Sequence, residues 1–90
     1  MYYIHHAFDT GPDDVIEVTL DRMANVQLLD PENYENYQNG RPFDYLGGYA
    51  TESPVRLSPP RPGRWHLVID LGGGAGSVRA SARVLSGVGS

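Results

Sequence analysis

The stretch RWHLVIDL at 64–71 is the most strongly strand-like run in the chain and decides the fold. Its apolar side chains recur at every second position, the period that is typical of a β-strand. The residues that share this face are Trp65, Leu67, Ile69 and Leu71. Val68 adds an apolar side chain to the opposite face. Because a strand that is apolar on both faces must be covered on both sides, we expect 64–71 to lie in the middle of a sheet.

Shorter strand patterns continue outward from this stretch in both directions. VIEVTL at 15–20 and VRASARVL at 78–85 alternate in the same way, and turn clusters rich in Pro and Gly separate the segments. One such cluster, LGGGAGS at 71–77, predicts a glycine-rich hairpin. The strands that the sequence predicts are 2–8, 15–20, 24–29, 43–49, 53–59, 64–71 and 78–85, with a turn at 9–13.

One segment, DPENYENYQNG at 30–40, has the signature of a helix instead. Asp30 suits the N-cap position, Pro31 suits the first helical position, and Asn39 with Gly40 suits the end of a helix. We therefore expect a single helical turn near 31–38.

These elements define the fold class. No amphipathic helix is present that could connect parallel strands, so the sheet must be mainly antiparallel. We predict an all-β fold, an antiparallel two-sheet β-sandwich of jelly-roll-like type with about seven short strands; a small closed β-barrel is the alternative. The 90 residues suffice for one β domain, 1–86, followed by a frayed tail at 87–90.

Composition limits the classes of partner. The formal net charge is −4 and all seven basic residues are arginine, so we expect no nucleic-acid partner. No apolar run is long enough to span a membrane, and MYYIHHAFDT at the start lacks the pattern of a signal peptide. With no cysteine, thiolate metal sites and disulfides are excluded. The expectation is a cytoplasmic protein without a membrane association, a metal or another cofactor.

The densest aromatic segment supplies the candidate binding residues: Tyr34, Tyr37, Arg41, Tyr45 and Tyr49. Tyrosine offers a large amphipathic contact area, which is typical of recognition surfaces. Tyr34 and Tyr37 are three residues apart, so on a helical turn both rings should project from one side, with Arg41 near enough to stack on a ring or bind a carboxylate. The alternative is structural: Phe43, Tyr45 and Tyr49 line the core, and the other two tyrosines close its end.

Secondary candidates lie on the last two strands: His66, Asp70, Arg79 and Arg83. Four strand residues separate His66 from Asp70 by roughly 13 Å, so the two cannot form a hydrogen-bonded dyad. His5 and His6 should point to opposite faces, although either could approach His66 across strands. Arg79 and Arg83, with Arg56 and Arg64 nearby, form either an anion-binding patch or a solvated strand face.

Two longer motifs make the chain similar to a known family. One is N-Y-x-x-G-x-x-x-x-Y-x-G-G, which includes Tyr37 to Gly48, and the other is P-x-x-G-x-W-H-x-V-x-D-L-G-G, from Pro60 to Gly73. Both resemble bacterial domains grouped as domain of unknown function 1883, and the likeness runs from about Asp14 to Leu85. The resemblance implies a small β-rich unit, found alone or fused to signalling domains of the Toll/interleukin-receptor type. It implies no catalytic residue.

These observations favour a non-catalytic binding or protein-interaction module, a recognition domain in bacterial signalling or defence. We expect a protein partner or self-association. The alternative is a β-sandwich that binds a small molecule or carbohydrate through the aromatic segment. An enzyme with a hydrolase-like site around His66 is the least favoured reading, because no nucleophile motif accompanies it.

Overall fold

The structure, a computed structural model, describes residues 3–71, 76 and 78–86. Its strands form two antiparallel sheets, a four-stranded sheet in the order β1-β6-β3-β4 and a three-stranded sheet in the order β5-β2-β7. The predicted two-sheet sandwich is confirmed, and the closed barrel is wrong. The elements are β1 (Ile4–Thr10), β2 (Val15–Leu20), β3 (Ala24–Leu29), α1 (Pro31–Gln38), β4 (Leu46–Ala50), β5 (Val55–Leu57), β6 (Gly63–Asp70) and β7 (Ala80–Leu85).

Strand β6 occupies the interior position that the sequence predicts for it. It pairs with β1 on one side, where His6 faces Leu67, and with β3 on the other, where Leu28 also faces Leu67. Its inward side chains belong to the main core, while Val68 is fully buried on the opposite face. Both faces of β6 are therefore covered, as its composition requires.

The main core lies between the two sheets. Strands β2, β3 and β6 supply most of it because their alternate side chains all point inward. The buried residues of this core are Ile16, Val18, Leu20, Ala24, Val26, Leu28, Leu57, Trp65, Leu67, Ile69 and Val78.

The order of the strands also corrects one prediction. Every connection between consecutive strands crosses from one sheet to the other, except the β3–β4 connection, which contains α1. Strands β6 and β7 thus lie in different sheets, and the glycine-rich segment between them does not join a hairpin. Residues 72–75 and 77 of that segment lie outside the described residues, as does the predicted tail at 87–90.

Helix α1 forms where the sequence places it, for the expected reasons. A side-chain oxygen of Asp30 accepts a hydrogen bond of 2.8 Å from the backbone N–H of Asn33, and Pro31 opens the helix. At the other end, the Asn39 side chain donates to the carbonyl of Glu35 at 2.8 Å, and Gly40 follows with a φ of +70°. A left-handed residue at this point stops the helix.

Five strands have boundaries that differ from the prediction: β6 is shifted by one residue, β7 begins at Ala80 rather than 78, and the shifts of the other three have a visible cause. Strand β1 continues to Thr10, whose hydroxyl donates to the carbonyl of Gly63 at 3.2 Å, so the turn begins only at Gly11. Strand β5 is limited to Val55–Leu57, since the prolines that flank it have no N–H to extend the pairing. Strand β4 begins at Leu46 rather than 43, because Phe43 packs under α1.

We expect replacement of Trp65 by alanine to lower the free energy of unfolding by about 3–5 kcal/mol. The side chain is 5% exposed, and its indole N–H donates to the carbonyl of Arg61 at 3.0 Å. Chemical denaturation of the Trp65→Ala variant, followed by circular dichroism, measures the loss. Tyr49→Ala, at a mostly exposed aromatic residue, is the matched control and should unfold close to the wild type. A Trp65→Ala variant as stable as that control would contradict the assignment of Trp65 to the core.

Candidate functional site

The outer face of the four-stranded sheet is covered by α1 and by a cluster of aromatic rings, the aromatic lid. Tyr34 and Tyr37 are three residues apart and both face the sheet, where their ring centroids lie 6.5 Å from each other. Strands β1 and β6 present histidine rings to them, and the segments on either side add two further rings. The residues of the aromatic lid are Tyr3, His5, Tyr34, Tyr37, Phe43 and His66.

Two histidines form the floor of the lid. His5 on β1 and His66 on β6 are hydrogen-bonded to each other, with 2.8 Å between Nε2 of His5 and Nδ1 of His66. The ring of Tyr34 lies flat over both imidazoles, 4.4 Å from each centroid. One imidazole must donate and the other accept. The hydrogen bond therefore persists when the pair binds one proton and is lost when it binds two.

Partial desolvation of the two histidines beneath the Tyr34 ring has an electrostatic consequence. Desolvation lowers the pKa of His5 and, to a smaller degree, so does the neighbouring His6. Desolvation also lowers the pKa of His66, with further contributions from His5 and Arg64. Both shifts favour the neutral form of the two imidazoles.

The other half of the lid encloses a buried carboxylate. Asp70 at the end of β6 accepts a hydrogen bond of 2.9 Å from the Asn25 side chain and interacts with the hydroxyl of Tyr37. Burial, followed by the charge of Asp70, raises the pKa of Tyr37. Burial, followed by a hydrogen bond with Tyr3, raises the pKa of Tyr34 to about 12. Both phenols are therefore neutral, and they serve as hydrogen-bonding partners inside the lid.

These contacts pack Tyr34 and Tyr37 into the protein. Both side chains are half-buried against the sheet, and so they do not project as a pair from the surface. Arg41 lies near a carboxylate rather than a ring: its guanidinium is 3.9 Å from the carboxylate of Glu35, and both side chains are largely exposed. The structure thus places Tyr34 and Tyr37 in the lid and Arg41 outside it.

Tyr45 and Tyr49 have the opposite environment. They are 48% and 61% exposed, so neither lines the core, and Phe43 packs on Tyr37 instead. Tyr49 borders a groove of about 360 Å³ between β4 and the start of β5, the β4 groove. Its lining residues are Gly47, Gly48, Tyr49, Ala50, Thr51, Glu52, Pro54 and Val55.

Glycine is required at the start of this groove. Gly47 has a φ of +105°, and a Cβ atom placed there would collide with the carbonyl oxygen of Val26 on the paired strand. No other residue fits this combination of backbone conformation and close approach. The two glycines leave the middle of β4 without side chains, and the groove is open along it.

The arginines predicted as a patch divide between the two sheets. Arg56 and Arg83 both bind the carboxylate of Glu17, with Nη2–oxygen distances of 3.0 and 2.9 Å. Hydrogen bonds from Arg83 and then Arg56 lower the pKa of Glu17. Arg64 instead binds Asp9 at 2.9 Å on the four-stranded sheet. Arg79 lies just before β7, with its backbone N–H bonded to Asp21 at 2.8 Å.

The histidines and carboxylates are distributed among separate partners. His66 contacts His5, whereas Asp70 contacts Asn25 and Tyr37, so these two secondary candidates do not form one site. His6 packs near Phe8, away from the other two histidines. Within the described ranges, no three histidine, aspartate or glutamate side chains are grouped so that they could hold a metal ion.

Several residues of these sites were not among the sequence candidates. Glu52 and Val55 line the β4 groove, and Met23, which precedes β3, lines the recess beside it. Phe43 and Tyr3 join the aromatic lid, although neither is among the predicted binding residues. The one available signal was the pair Gly47-Gly48 beside tyrosines, which marks a place where another chain can approach the backbone.

The architecture defines an antiparallel β-sandwich with an aromatic lid under a single short helix. The model of the family described as domain of unknown function (DUF1883) matches residues 1–87. The chain belongs to this family, which confirms the resemblance noted in its motifs. No curated protein and no solved structure matches the chain. In the part of the chain that the structure describes, α1 is too short and too polar to cross a membrane.

We expect the double variant Tyr34→Ser/Tyr37→Ser to melt at least about 5 °C below the wild type. Both rings leave the lid in this variant, so the His5–His66 pair loses the ring stacked on it and the buried Asp70 becomes exposed to water. Differential scanning calorimetry gives the change. The control is Arg41→Ser, outside the lid, which should leave the melting temperature nearly unchanged. Equal melting temperatures for the double variant and the wild type would show that the two tyrosine rings do not stabilise the fold.

The His5–His66 pair should make stability depend on pH. Because the folded protein lowers both pKa values, the unfolded chain binds more protons below a pH of about 6.5. The contribution is therefore fully present above that pH and is lost as the pH falls. We expect the unfolding midpoint in urea to decrease more between about pH 7.5 and 5.5 for the wild type than for His5→Gln/His66→Gln. If the urea midpoint changed with pH equally in the two proteins, the lowered pKa values of His5 and His66 would be contradicted.

Proposed function

We propose that this domain is a non-catalytic binding module that holds an extended peptide segment of a partner protein in the β4 groove. The observation that carries the proposal is that this groove is lined by β4, a strand at the edge of its sheet. Strand β4 is the last strand of its sheet, so one side of its backbone is free of strand partners among the described residues. A peptide strand can pair with such an edge while its side chains enter the adjoining groove.

The free edges of the described strands differ in how well they are protected against pairing. Strand β1 carries Asp9, β7 carries Arg83, and β5 has only three residues directly after Pro54. Charges, prolines and shortness all discourage strand addition. Strand β4, with the sequence LGGYA, has no charged residue and no proline. Strand β4 is therefore the free edge that is least protected against pairing with a partner strand.

Apolar anchors are present at the groove. Tyr49 and Met23 are 61% and 54% exposed, and Met23 lines a smaller recess that shares Ala50 and Glu52 with the β4 groove. Exposed rigid aromatic side chains at the centre of a contact surface contribute strongly to protein association. The half-buried Tyr34 and Tyr37 are unsuited to this role because their rings are already packed.

The charge of the domain favours a basic partner segment. The chain has a formal net charge of −4, and Glu52 lies exposed in the groove lining. A peptide that carries lysine or arginine beside apolar residues would match this surface. The resemblance to domains fused to Toll/interleukin-receptor-type domains extends the proposal to a recognition role in bacterial signalling or defence.

A displayed library of random nine-residue peptides is the direct test. We expect selection against the wild-type domain to enrich basic, apolar sequences, and Tyr49→Ala to weaken the binding of a selected peptide at least about tenfold. Tyr45→Ala, an exposed tyrosine outside the groove, is the matched control and should bind normally. Amide hydrogen exchange should slow in β4 when the peptide is bound, because its free N–H groups become paired.

Three results would overturn the proposal. The first is a selection that yields no binder, and the second is a peptide whose affinity is equal for Tyr49→Ala and the wild type. The third is protection that appears on the three-stranded sheet rather than in β4. Concentration-dependent dimerisation that is abolished by Tyr49→Ala would instead identify a second copy of the chain as the occupant.

A further inference from the structure

A second cavity lies at the end of the sandwich where β3 ends and β6 begins. Its volume is about 260 Å³, and it opens between the first turn of α1, the segment before β4 and Arg61. Leu28, Leu46 and Trp65 form an apolar floor, since they are inward-facing residues at the end of the core. We call it the end cavity. It is separate from the β4 groove, and the two cavities share no lining residue.

Arg61 forms one side of the end cavity in a fixed position. Its Nη2 binds the carboxylate of Asp30 at 2.9 Å, and its guanidinium lies 5.0 Å from the centroid of the Trp65 ring. Asp30 is itself fixed as the N-cap of α1, and the backbone N–H of Asn33 followed by Arg61 lowers its pKa. Arg61 is still 59% exposed, so N–H groups beyond those bound to Asp30 are accessible to a ligand.

The opposite side is formed by Asp44 and Tyr45. The backbone N–H of Asp44 donates to the Asn33 side chain at 2.8 Å, which fixes this segment against the helix. Among the described residues, the Asp44 carboxylate and the Tyr45 hydroxyl have no hydrogen-bond partner, and both side chains are exposed. Tyr45 thus presents an unsatisfied hydroxyl and an accessible ring beside an unpaired carboxylate.

This combination identifies a ligand class. A sugar ring has an apolar C–H face, which fits an aromatic ring and an apolar floor, and hydroxyl groups, each of which can donate and accept hydrogen bonds. The carboxylate of Asp44 would accept from these hydroxyls and Arg61 would donate to them, both as charge-assisted bonds. The cavity is also smaller than the roughly 300–1,000 Å³ of sites for drug-sized molecules.

The polar groups of the lining favour a neutral saccharide over charged small ligands. The lining contains carboxylates at Asp30 and Asp44 and a guanidinium at Arg61, which is paired with Asp30. An anion would be repelled by Asp44, which has no compensating partner. A small cation could pair with Asp44, but it would leave the remaining N–H donors of Arg61 and the apolar floor unused, whereas a neutral polyol contacts all three. We propose that the end cavity binds a single neutral saccharide unit, a ligand independent of the peptide in the β4 groove.

Trp65 makes the proposal directly measurable, because it is the only tryptophan in the chain and lies in the cavity floor. We expect neutral hexoses or N-acetylhexosamines, titrated up to about 10 mM, to give a saturable change in tryptophan fluorescence, which corresponds to a Kd in the millimolar range or below. The amide resonance of Asp44 should shift in the same titration, since its N–H anchors the cavity wall.

Two variants at residues just before β4 test the saccharide site, and two variants at the β4 groove are their controls. Asp44→Asn and Tyr45→Ala should each weaken saccharide binding at least about tenfold, as expected for the loss of a charge-assisted hydrogen bond or an aromatic contact. Glu52→Gln and Tyr49→Ala make the same chemical changes, carboxylate to amide and tyrosine to alanine, at the β4 groove. They should leave saccharide binding unchanged. Thermal melts establish that all four variants are folded.

The outcomes separate this inference from the peptide proposal. A saturable signal that depends on Asp44 and Tyr45 but not on Tyr49 supports the saccharide site, whatever the peptide selection yields. Absence of saturation with every neutral sugar would overturn it. So would a response confined to charged sugars such as uronic acids, or an equal loss in Tyr45→Ala and Tyr49→Ala.

Discussion

Strand β6 is buried on both of its faces, and each face needs a separate cover. Trp65, Leu67 and Ile69 are covered by the three-stranded sheet, which completes the main core. Val68 and Asp70 on the other face are nearly inaccessible to water as well, and α1 with its aromatic rings provides that cover. The helix is therefore a necessary layer of this fold, since without it the outer face of β6 would place apolar surface and a paired carboxylate in water.

The chemistry of this second cover explains why the tyrosines and histidines are there. The face carries His66 and Asp70, which bond His5 and Asn25 on the neighbouring strands, and an aliphatic cover would deprive the buried Asp70 carboxylate of its further contact with Tyr37. Tyr37 contacts Asp70 with its hydroxyl, while His5 bonds His66 beneath the ring of Tyr34. Residues that resemble a catalytic or binding set in the sequence thus satisfy one another. Their altered pKa values follow from burial in the lid, since desolvation is the largest cause for each of them.

The position of α1 also leaves two openings on the molecule. Because the helix is inserted between β3 and β4, its first turn and the segment before β4 form the rim of the end cavity. Beyond that point β4 runs along the edge of the sheet with Gly47 and Gly48 in its middle, and the β4 groove lies beside it. Tyr45 and Tyr49 end up at different openings. The single aromatic segment of the sequence therefore contributes to a structural lid and to two separate openings.

The local pattern of the sequence by itself determined the elements of this protein: the alternation in RWHLVIDL placed β6 in the interior, and Asp30, Pro31 and Gly40 set the ends of α1. Those features depend on neighbouring residues, which is why period and capping predicted them. The tertiary structure alone decided which sheet each strand joins, that the connection after β6 is no hairpin, and that Tyr34 is packed while Tyr49 is exposed. It also brought Met23 to a recess beside the groove of Tyr49 and Val55, and Asp44 and Arg61 to one cavity. These outcomes depend on contacts between residues far apart in the chain, and no local period encodes which distant faces will meet.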